Sequence, residues 1–291
     1  MGYAKNFHSD LRCPECHLDL DRKDDGLVCA NDHAHEIISE VPILLSGEEK
    51  SSLQIDVENS ERMEREFTNP IKSKIIWLVK LIIGSSLAMP LPKTVKRLWE
   101  NEDKEKCLDL GSGTDASSAG TVSLDIDLFS HVGVVGSALN IPFKDESFTR
   151  IKNIAVLEHL RDPHKAVDEM YRVLKPGGYV YAVTPFLLHF HAYPDDFERY
   201  TVEGLKKLFH EFEVVETGVR IGAGSTITTL VADWFELWTF TDNRAVNDIV
   251  RLIPLILLFP LKFFDYFLNK NPRAHEYAQA LYIVCKKPSV G

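Results

Sequence analysis

Between residues 107 and 286 the chain alternates short apolar runs of strand length with stretches of helical periodicity. The apolar runs predict strands at 107–110, 121–126, 132–136, 150–155, 179–184, 212–217 and 280–286. Helices are expected in between. Asp162 is a natural N-cap with Pro163 at the first helical position, where its missing N–H costs nothing. Ala166, Val167, Met170, Val173 and Leu174 then form one apolar stripe, and Pro176-Gly177-Gly178 closes the helix and launches the next strand. Thr201 caps a further helix over 202–210, and a polar helix over 93–106 leads into the first strand. About sixty residues separate the last two strands, and this insertion (about 220–278) carries TLVADWFELWTF and an apolar run at 249–268. Ten apolar residues at 252–261, interrupted by Pro254 and Pro260, are too few to cross a bilayer. A lid over a cleft, a dimer surface or an interfacial anchor would each suit them.

Ahead of this region the pattern changes twice. Residues 11–45 read LRCPECHLDLDRKDDGLVCANDHAHEIISEVPILL, a small β-rich segment in which Cys13 and Cys16 form a CxxC knuckle. Cys29 and His33 follow after spacings of 12 and 3 residues. Two thiolates on one tight turn and two further ligands on a second can close a tetrahedron around zinc, with Asp32 and His35 competing for the fourth place. A closed four-ligand site leaves no position for water, so the expected zinc is structural, and it would supply much of the folding energy of so small a unit. Residues 46–69 are polar and charged, whereas 71–92 are apolar, with Lys80 and Gly84-Ser85-Ser86 arguing against a membrane span. The expected domains are therefore a zinc module over 1–46, a helical linker over 47–100, and a catalytic domain over 101–291.

The stretch CLDLGSGTDASSAGTVSLDI at 107–126 carries the candidate chemistry. A turn built on Gly111 and Gly113 follows the first strand, and glycine there lets main chain approach a ligand. Asp125, at the tip of the second strand, is placed to accept hydrogen bonds from a ribose diol. Together these features suggest a nucleoside-containing cofactor. Downstream come SALNIPFKDESF (137–148), AVLEHL (155–160) and EMYRVLKPGGYVYAVTP (169–185). In that order and spacing they resemble the class I S-adenosylmethionine-dependent methyltransferases, over roughly residues 107–212.

That resemblance implies an α/β, Rossmann-like doubly wound sheet and S-adenosylmethionine as cofactor. It implies that Asp109, Gly111, Ser112 and Gly113 flank the methionine part. Asp125 would hold the ribose and Ser137 with Ala138 would lie beside the adenine, with Ile126 and Asn153 as further cofactor-binding candidates. Asp115 stands where the family usually has a third glycine, Ser137 where it has aspartate, and Thr149 where the fourth strand often begins with aspartate. Only eight residues separate Gly113 from Val122, too few for the usual connecting helix. The loop PFLLHFHAYPDDFERY at 185–200 is similar to a further signature of the same branch. It holds His191, Asp196, Arg199 and Tyr200, and with His159 these are the candidate catalytic residues: His191 or Asp196 as base, Arg199 as an anion clamp. The N-terminal segment resembles the small zinc-ribbon proteins that activate methyltransferases, and its spacing also resembles the finger of certain ribosomal RNA guanine methyltransferases.

Composition narrows the partners. A net charge of −10, from 33 basic and 43 acidic residues, argues against a broad nucleic-acid surface. Five cysteines, three of them clustered, suit a reducing, cytoplasmic compartment, and the polar 1–10 segment predicts no secretory signal. The expected activity is methyl transfer to an acceptor that the sequence does not name. Its rivals are a non-catalytic scaffold, suggested by the shortened loop; an enzyme acting on RNA or a translation protein, suggested by the zinc segment; and one acting on a lipid-linked or envelope-glycan substrate. For the last, 71–92 and 249–268 are candidate peripheral membrane contacts.

Overall fold

The computed structural model describes residues 3–23, 26–52, 84, 86–99, 106–113, 120–129, 131–192 and 195–289. Residues 53–69 of the expected linker, most of the apolar 71–92 segment and Asp115 lie outside the described residues.

Strands β1 (Leu20–Lys23), β2 (Gly26–Cys29), β3 (Ala34–Ile38) and β4 (Val41–Leu44) form an antiparallel N-terminal meander, and a short helix α1 (Gly47–Ser52) follows. The larger part begins with α2 (Lys93–Trp99) and contains β5 (Cys107–Leu110), β6 (Thr121–Asp125), β7 (Val134–Gly136), β8 (Phe148–Ile154), α3 (Pro163–Val173) and β9 (Leu174–Pro185). Then come α4 (Val202–Leu208), β10 (Glu213–Ile221), α5 (Ala223–Leu237), α6 (Arg244–Leu258), α7 (Asp265–Leu268) and β11 (Ala280–Lys286). The strand order is β4-β7-β6-β5-β8-β9-β11-β10 beyond the meander. Strands β5 to β9 are parallel, β11 runs antiparallel between β9 and β10, and the order reverses direction at β5. This is the Rossmann-like, doubly wound sheet expected from the sequence.

The alternation of side chains along a strand assigns the two faces. On β9, Val180 and Ala182 join the core under α3 and α4, whereas Tyr181 and Val183 turn to the other face with Val95 of α2. Strand β11 divides likewise, with Leu281, Ile283 and Cys285 on the first face and Tyr282 and Val284 on the second. Asp162 caps α3 by accepting the Lys165 N–H at 3.0 Å, and Thr201 caps α4 through the Gly204 N–H at 3.1 Å. The helical stripe falls where the sequence placed it: Ala166, Val167, Met170 and Val173 are buried.

Three elements differ from expectation. The Pro176–Gly178 break does not separate helix from strand. The chain is already extended at Leu174, and residues 175–178 bulge within β9, where Leu174 pairs with Phe148 and Tyr179 next with Arg150. Gly177 takes φ +77°, and its N–H bonds to the Lys287 carbonyl at 2.9 Å. Strand β10 runs on to Ile221 because β11 pairs with it along its length. Finally, Pro254 does not stop the insertion's second helix, which continues from Arg244 to Leu258.

The N-terminal segment is joined to the main sheet. Strand β4 pairs in parallel with β7, Ile43 opposite Val135 and Leu44 opposite Gly136. Leu11, Cys13, Leu20 and Leu27 share one apolar cluster with β5, β6 and β8.

Candidate active site

Strand β5 lies between β6 and β8, both parallel to it, so the carboxyl ends of all three meet at one edge. Gly111 leaves β5 with φ +73°, and a Cβ built on it would stand 2.2 Å from Val156 Cγ2. No side chain fits there. Gly113 also takes a positive φ, +57°, and among the described residues nothing lies within 4 Å of its would-be Cβ. The turn is stitched to β6, with Gly111 N–H donating to the Leu124 carbonyl at 2.8 Å and Gly113 N–H to Asp125 Oδ2 at 2.7 Å. The other Asp125 oxygen accepts the Asp127 N–H at 3.1 Å. Each carboxylate oxygen keeps a further lone pair. Burial raises the Asp125 carboxyl above its usual range, and the backbone N–H groups of Asp127 and Gly113 oppose that shift.

Two buried polar atoms at this edge have no hydrogen-bond partner among the described residues: Ser112 Oγ and Asn153 Oδ1. The Asn153 amide nitrogen donates to the Leu110 carbonyl at 3.2 Å, which fixes the group at the tip of β5. Ile126 follows Asp125 and is half-buried. Asp109 is turned away from any such role: it is 2 % exposed and paired with Lys152 Nζ at 2.6 Å. The loop after β7 carries Ser137, buried, with Ala138 beside it, and the Ser137 hydroxyl accepts the Leu139 N–H at 3.2 Å. Arg172 is more than a helix-terminal cation. Its guanidinium bonds to the carbonyls of Ile141 and Phe143 and to Glu169 and Asp145, clamping this loop against α3.

The loop after β9 closes over the turn that follows β8. There, Glu158 is fully buried and neither carboxylate oxygen has a hydrogen-bond partner among the described residues. Burial pushes its carboxyl up to about 7, with Asp196 acting in the same direction and Arg199 against it. His159 Nε2 and His191 Nε2 each lie 3.8 Å from Glu158 Oε1. His159 Nδ1 is 2.6 Å from the Asp195 carbonyl and His191 Nδ1 is 3.1 Å from that of His189. Those carbonyls place the proton of each neutral ring on Nδ1 and the lone pair on Nε2, the shorter His189 contact outweighing Arg199 Nη2, which lies 3.4 Å from His191 Nδ1. Burial lowers the His191 imidazole. Sequence reasoning selected His159 from the LEH motif and overlooked Glu158. The available signal was a carboxylate set between two leucines just past a buried strand.

Asp196 and Arg199 do not stand free as base and anion clamp. Arg199 grips both oxygens of Asp196, one at 2.6 Å, and also bonds to the carbonyls of Glu198 and His189. Arg199 holds the Asp196 carboxyl far below its usual range. The Tyr200 hydroxyl is buried, and burial, then the neighbouring Glu198, raise its phenol. Asp196 also accepts the His191 N–H at 2.8 Å, so the pair braces the loop that carries His191. The insertion reaches the same loop, because Asp233 of α5 pairs with His189 Nδ1 at 2.8 Å and with Arg251 of α6 at 2.7 Å.

In the N-terminal segment, the four expected ligands come together. The sulfurs of Cys13, Cys16 and Cys29 and a ring nitrogen of His33 all lie within 4.8 Å of one another. His35 Nε2 stands 3.3 Å from Cys13 Sγ, as an outer partner to the cluster. Asp32, the other competitor, adopts a positive φ of 59° in the second knuckle.

The Asp196 side chain is only 1 % exposed, so removing its partner strands a buried charge. Arg199→Ala is expected to cost about 3 kcal/mol in urea unfolding. Arg199→Lys, unable to grip both oxygens, should lose part of that. A loss below about 0.5 kcal/mol, the size of a surface pair, would show that the pair does not hold the loop.

Residues 108–182 match the family model described as a methyltransferase domain. Among curated proteins, an uncharacterized methyltransferase of Schizosaccharomyces pombe is 42 % identical over 64 residues, 22 % of this chain and 23 % of that protein. The demethylmenaquinone methyltransferase of Paenarthrobacter aurescens is 34 % identical over 91 residues, 25 % of this chain and 36 % of that protein. The matching stretch thus spans about a quarter to a third of these relatives. Among solved structures, a Haemonchus contortus phosphoethanolamine N-methyltransferase 2 in complex with S-adenosyl-L-methionine aligns with a TM-score of 0.41 and 17 % identity, over 67 % of this chain and 51 % of that one. The strand order and the family match together identify the larger part of the chain as an α/β domain of the class I methyltransferase fold.

Proposed function

We propose that the protein is an S-adenosylmethionine-dependent methyltransferase. The observation that carries this reading is the berth at the tips of β5 and β6. Among the described residues, nothing fills the space beside Gly113, its N–H is held by Asp125, and Ser112 Oγ and Asn153 Oδ1 are buried without partners. Those groups fit an adenosyl cofactor: Asp125 would take the ribose hydroxyls, and the main chain at 111–113 the methionine end. When bound, the cofactor supplies a methyl on an already electrophilic sulfonium. The chain's own task is to align a nucleophile, exclude water and accept a proton. His191 and His159 are the residues to accept it, their free Nε2 atoms lying beside Glu158. Asp196 and Arg199 act on them as braces.

Zinc is the ion best suited to the N-terminal cluster, with Cys13, Cys16, Cys29 and His33 as a closed set and no open position for catalysis. Residues 1–46 then form a structural module beside a catalytic domain.

A second observation bears on where the acceptor resides. The buried face of α5 is built from small and polar residues, Gly224, Ser225, Thr228, Thr229 and Ala232. Its apolar side chains point outward instead, with Trp234 54 %, Leu237 73 % and Trp238 64 % exposed; on α6, Ile249 is 64 % and Leu257 72 % exposed. A soluble helix normally places these faces the other way round. These exposed apolar side chains support peripheral contact with a lipid bilayer and an acceptor drawn from it. No helix among the described residues is long and apolar enough to cross a membrane.

Calorimetry should detect S-adenosylmethionine binding that Asp125→Ala weakens on the order of 10- to 100-fold, the worth of hydrogen bonds to a charged group. Unchanged affinity in that variant would remove the assignment. Cobalt(II) loaded into the N-terminal cluster should show thiolate-to-metal charge-transfer absorption, lost in Cys16→Ser; absorption unaffected by the substitution would exclude Cys16 as a ligand. In flotation with phospholipid vesicles, the protein should rise with the lipid and Trp238→Asp/Leu257→Asp should remain behind. Wild-type protein left wholly at the bottom would dismiss the lipid surface.

A further inference from the structure

Glu158 poses a problem that hydrogen bonding does not solve. It is 0 % exposed, and neither carboxylate oxygen has a hydrogen-bond partner among the described residues. A buried carboxyl in that condition is costly unless something compensates it. The nearest polar atoms are the Nε2 atoms of His159 and His191, each 3.8 Å from Oε1. That distance is too long for a hydrogen bond, whichever partner carries the proton. It is, however, the spacing of ligands around a shared ion: donors at about 2.0–2.2 Å from one metal stand roughly 3–4 Å from each other. The ligand atoms of all three residues lie within 4.8 Å of one another.

The rings are also prepared for that use. A metal-binding histidine typically donates its other ring N–H to a carbonyl or carboxylate, which fixes the lone pair toward the ion. His159 does so to the Asp195 carbonyl and His191 to the His189 carbonyl. The two rings meet edge to face with centroids 5.1 Å apart, so their positions are mutually constrained. The nearby Arg199 charge is engaged by Asp196, so it offsets the buried Glu158 carboxyl only in part.

We propose that Glu158, His159 and His191 form a binding site for one divalent transition-metal cation, separate from the cysteine cluster. Two imidazoles and one carboxylate suit zinc, manganese, iron or cobalt rather than magnesium or calcium, which favour all-oxygen sites. Three protein ligands leave positions for water or for an oxygen of the acceptor, whose proton a cation makes easier to lose; with the ion in place the two Nε2 atoms are its ligands, and that proton passes to solvent instead of to the imidazoles of the metal-free site. The acceptor would then be a hydroxylated molecule; that consequence rests on the methyl-transfer reading, whereas the metal site does not.

The test uses the full chain, stripped with chelator and titrated with cobalt(II) in the absence of cofactor and acceptor, so that its outcome is independent of methyl transfer. Wild-type protein should take up two equivalents by elemental analysis, only the first producing thiolate charge-transfer absorption. Glu158→Gln and His191→Asn should each retain that first equivalent and lose the second. His191 is half-buried, so its variant provides a folded reading even where the buried Glu158 substitution perturbs the structure. Uptake of a single equivalent by wild-type protein, or two equivalents in folded His191→Asn, would overturn the proposal.

Discussion

Strand β5 is the constraint on which the candidate site depends. Because it lies parallel between β6 and β8, the glycine turn after β5, the carboxylate ending β6 and the 157–159 turn after β8 must emerge at one edge. Gly111 shows how tight that meeting is, since Val156 occupies the space any side chain would need. One residue pair then aligns two loops: the Gly113 N–H and the Asp125 carboxylate bind the β5 turn to the tip of β6. The same edge receives the loop after β9, so the berth and the Glu158–histidine group are products of one topological choice rather than two separate devices.

The N-terminal segment adds a wall to this arrangement. The loop after β7, which carries Ser137 and Ala138, is bonded to it at several points: Asn140 Nδ2 to the Pro14 carbonyl at 2.7 Å, Arg12 N–H to the Pro142 carbonyl at 3.1 Å, and Lys144 N–H to the Asp10 carbonyl at 2.7 Å. Pro14 lies between the two cysteines of the first knuckle. One proline carbonyl thus ties the cysteine–histidine cluster to the loop that carries Ser137 and Ala138. The insertion makes a similar link on the opposite side, where Asp233 holds His189 and Arg251 holds Asp233.

Local pattern made most of the sheet readable. Strands β5, β6 and β11 appear as short, dense apolar runs because both faces of a central strand are buried. The caps Asp162 and Thr201 and the stripe on α3 were legible for similar reasons, since each involves residues within one turn or one helix face. What was not legible depends on distant pairing. The parallel join of β4 to β7 spans some ninety residues, and nothing in VPIL distinguishes an isolated hairpin strand from the edge of a larger sheet. The Pro176–Gly178 stretch has the composition of a helix stop, yet its register is set by β8 and by Lys287, which turn it into a bulge. At the site, glycines and Asp125 announced themselves by type and position. Asp196 and Arg199 read as a separate base and clamp because spacing shows that two charges are near but not that they pair with one another. Glu158 was missed because its meaning lies in what surrounds it: full burial and two imidazoles, one of them over thirty residues away.

The central claim is that the β5 turn and Asp125 form a berth for an adenosyl sulfonium. A crystal structure of the full chain grown with S-adenosylhomocysteine tests it most directly. The account predicts the ribose hydroxyls on Asp125 and the amino-acid end against the main chain at 111–113. By-product bound elsewhere, or the crevice beside Gly113 filled by the chain's own side chains at saturating ligand, would contradict it.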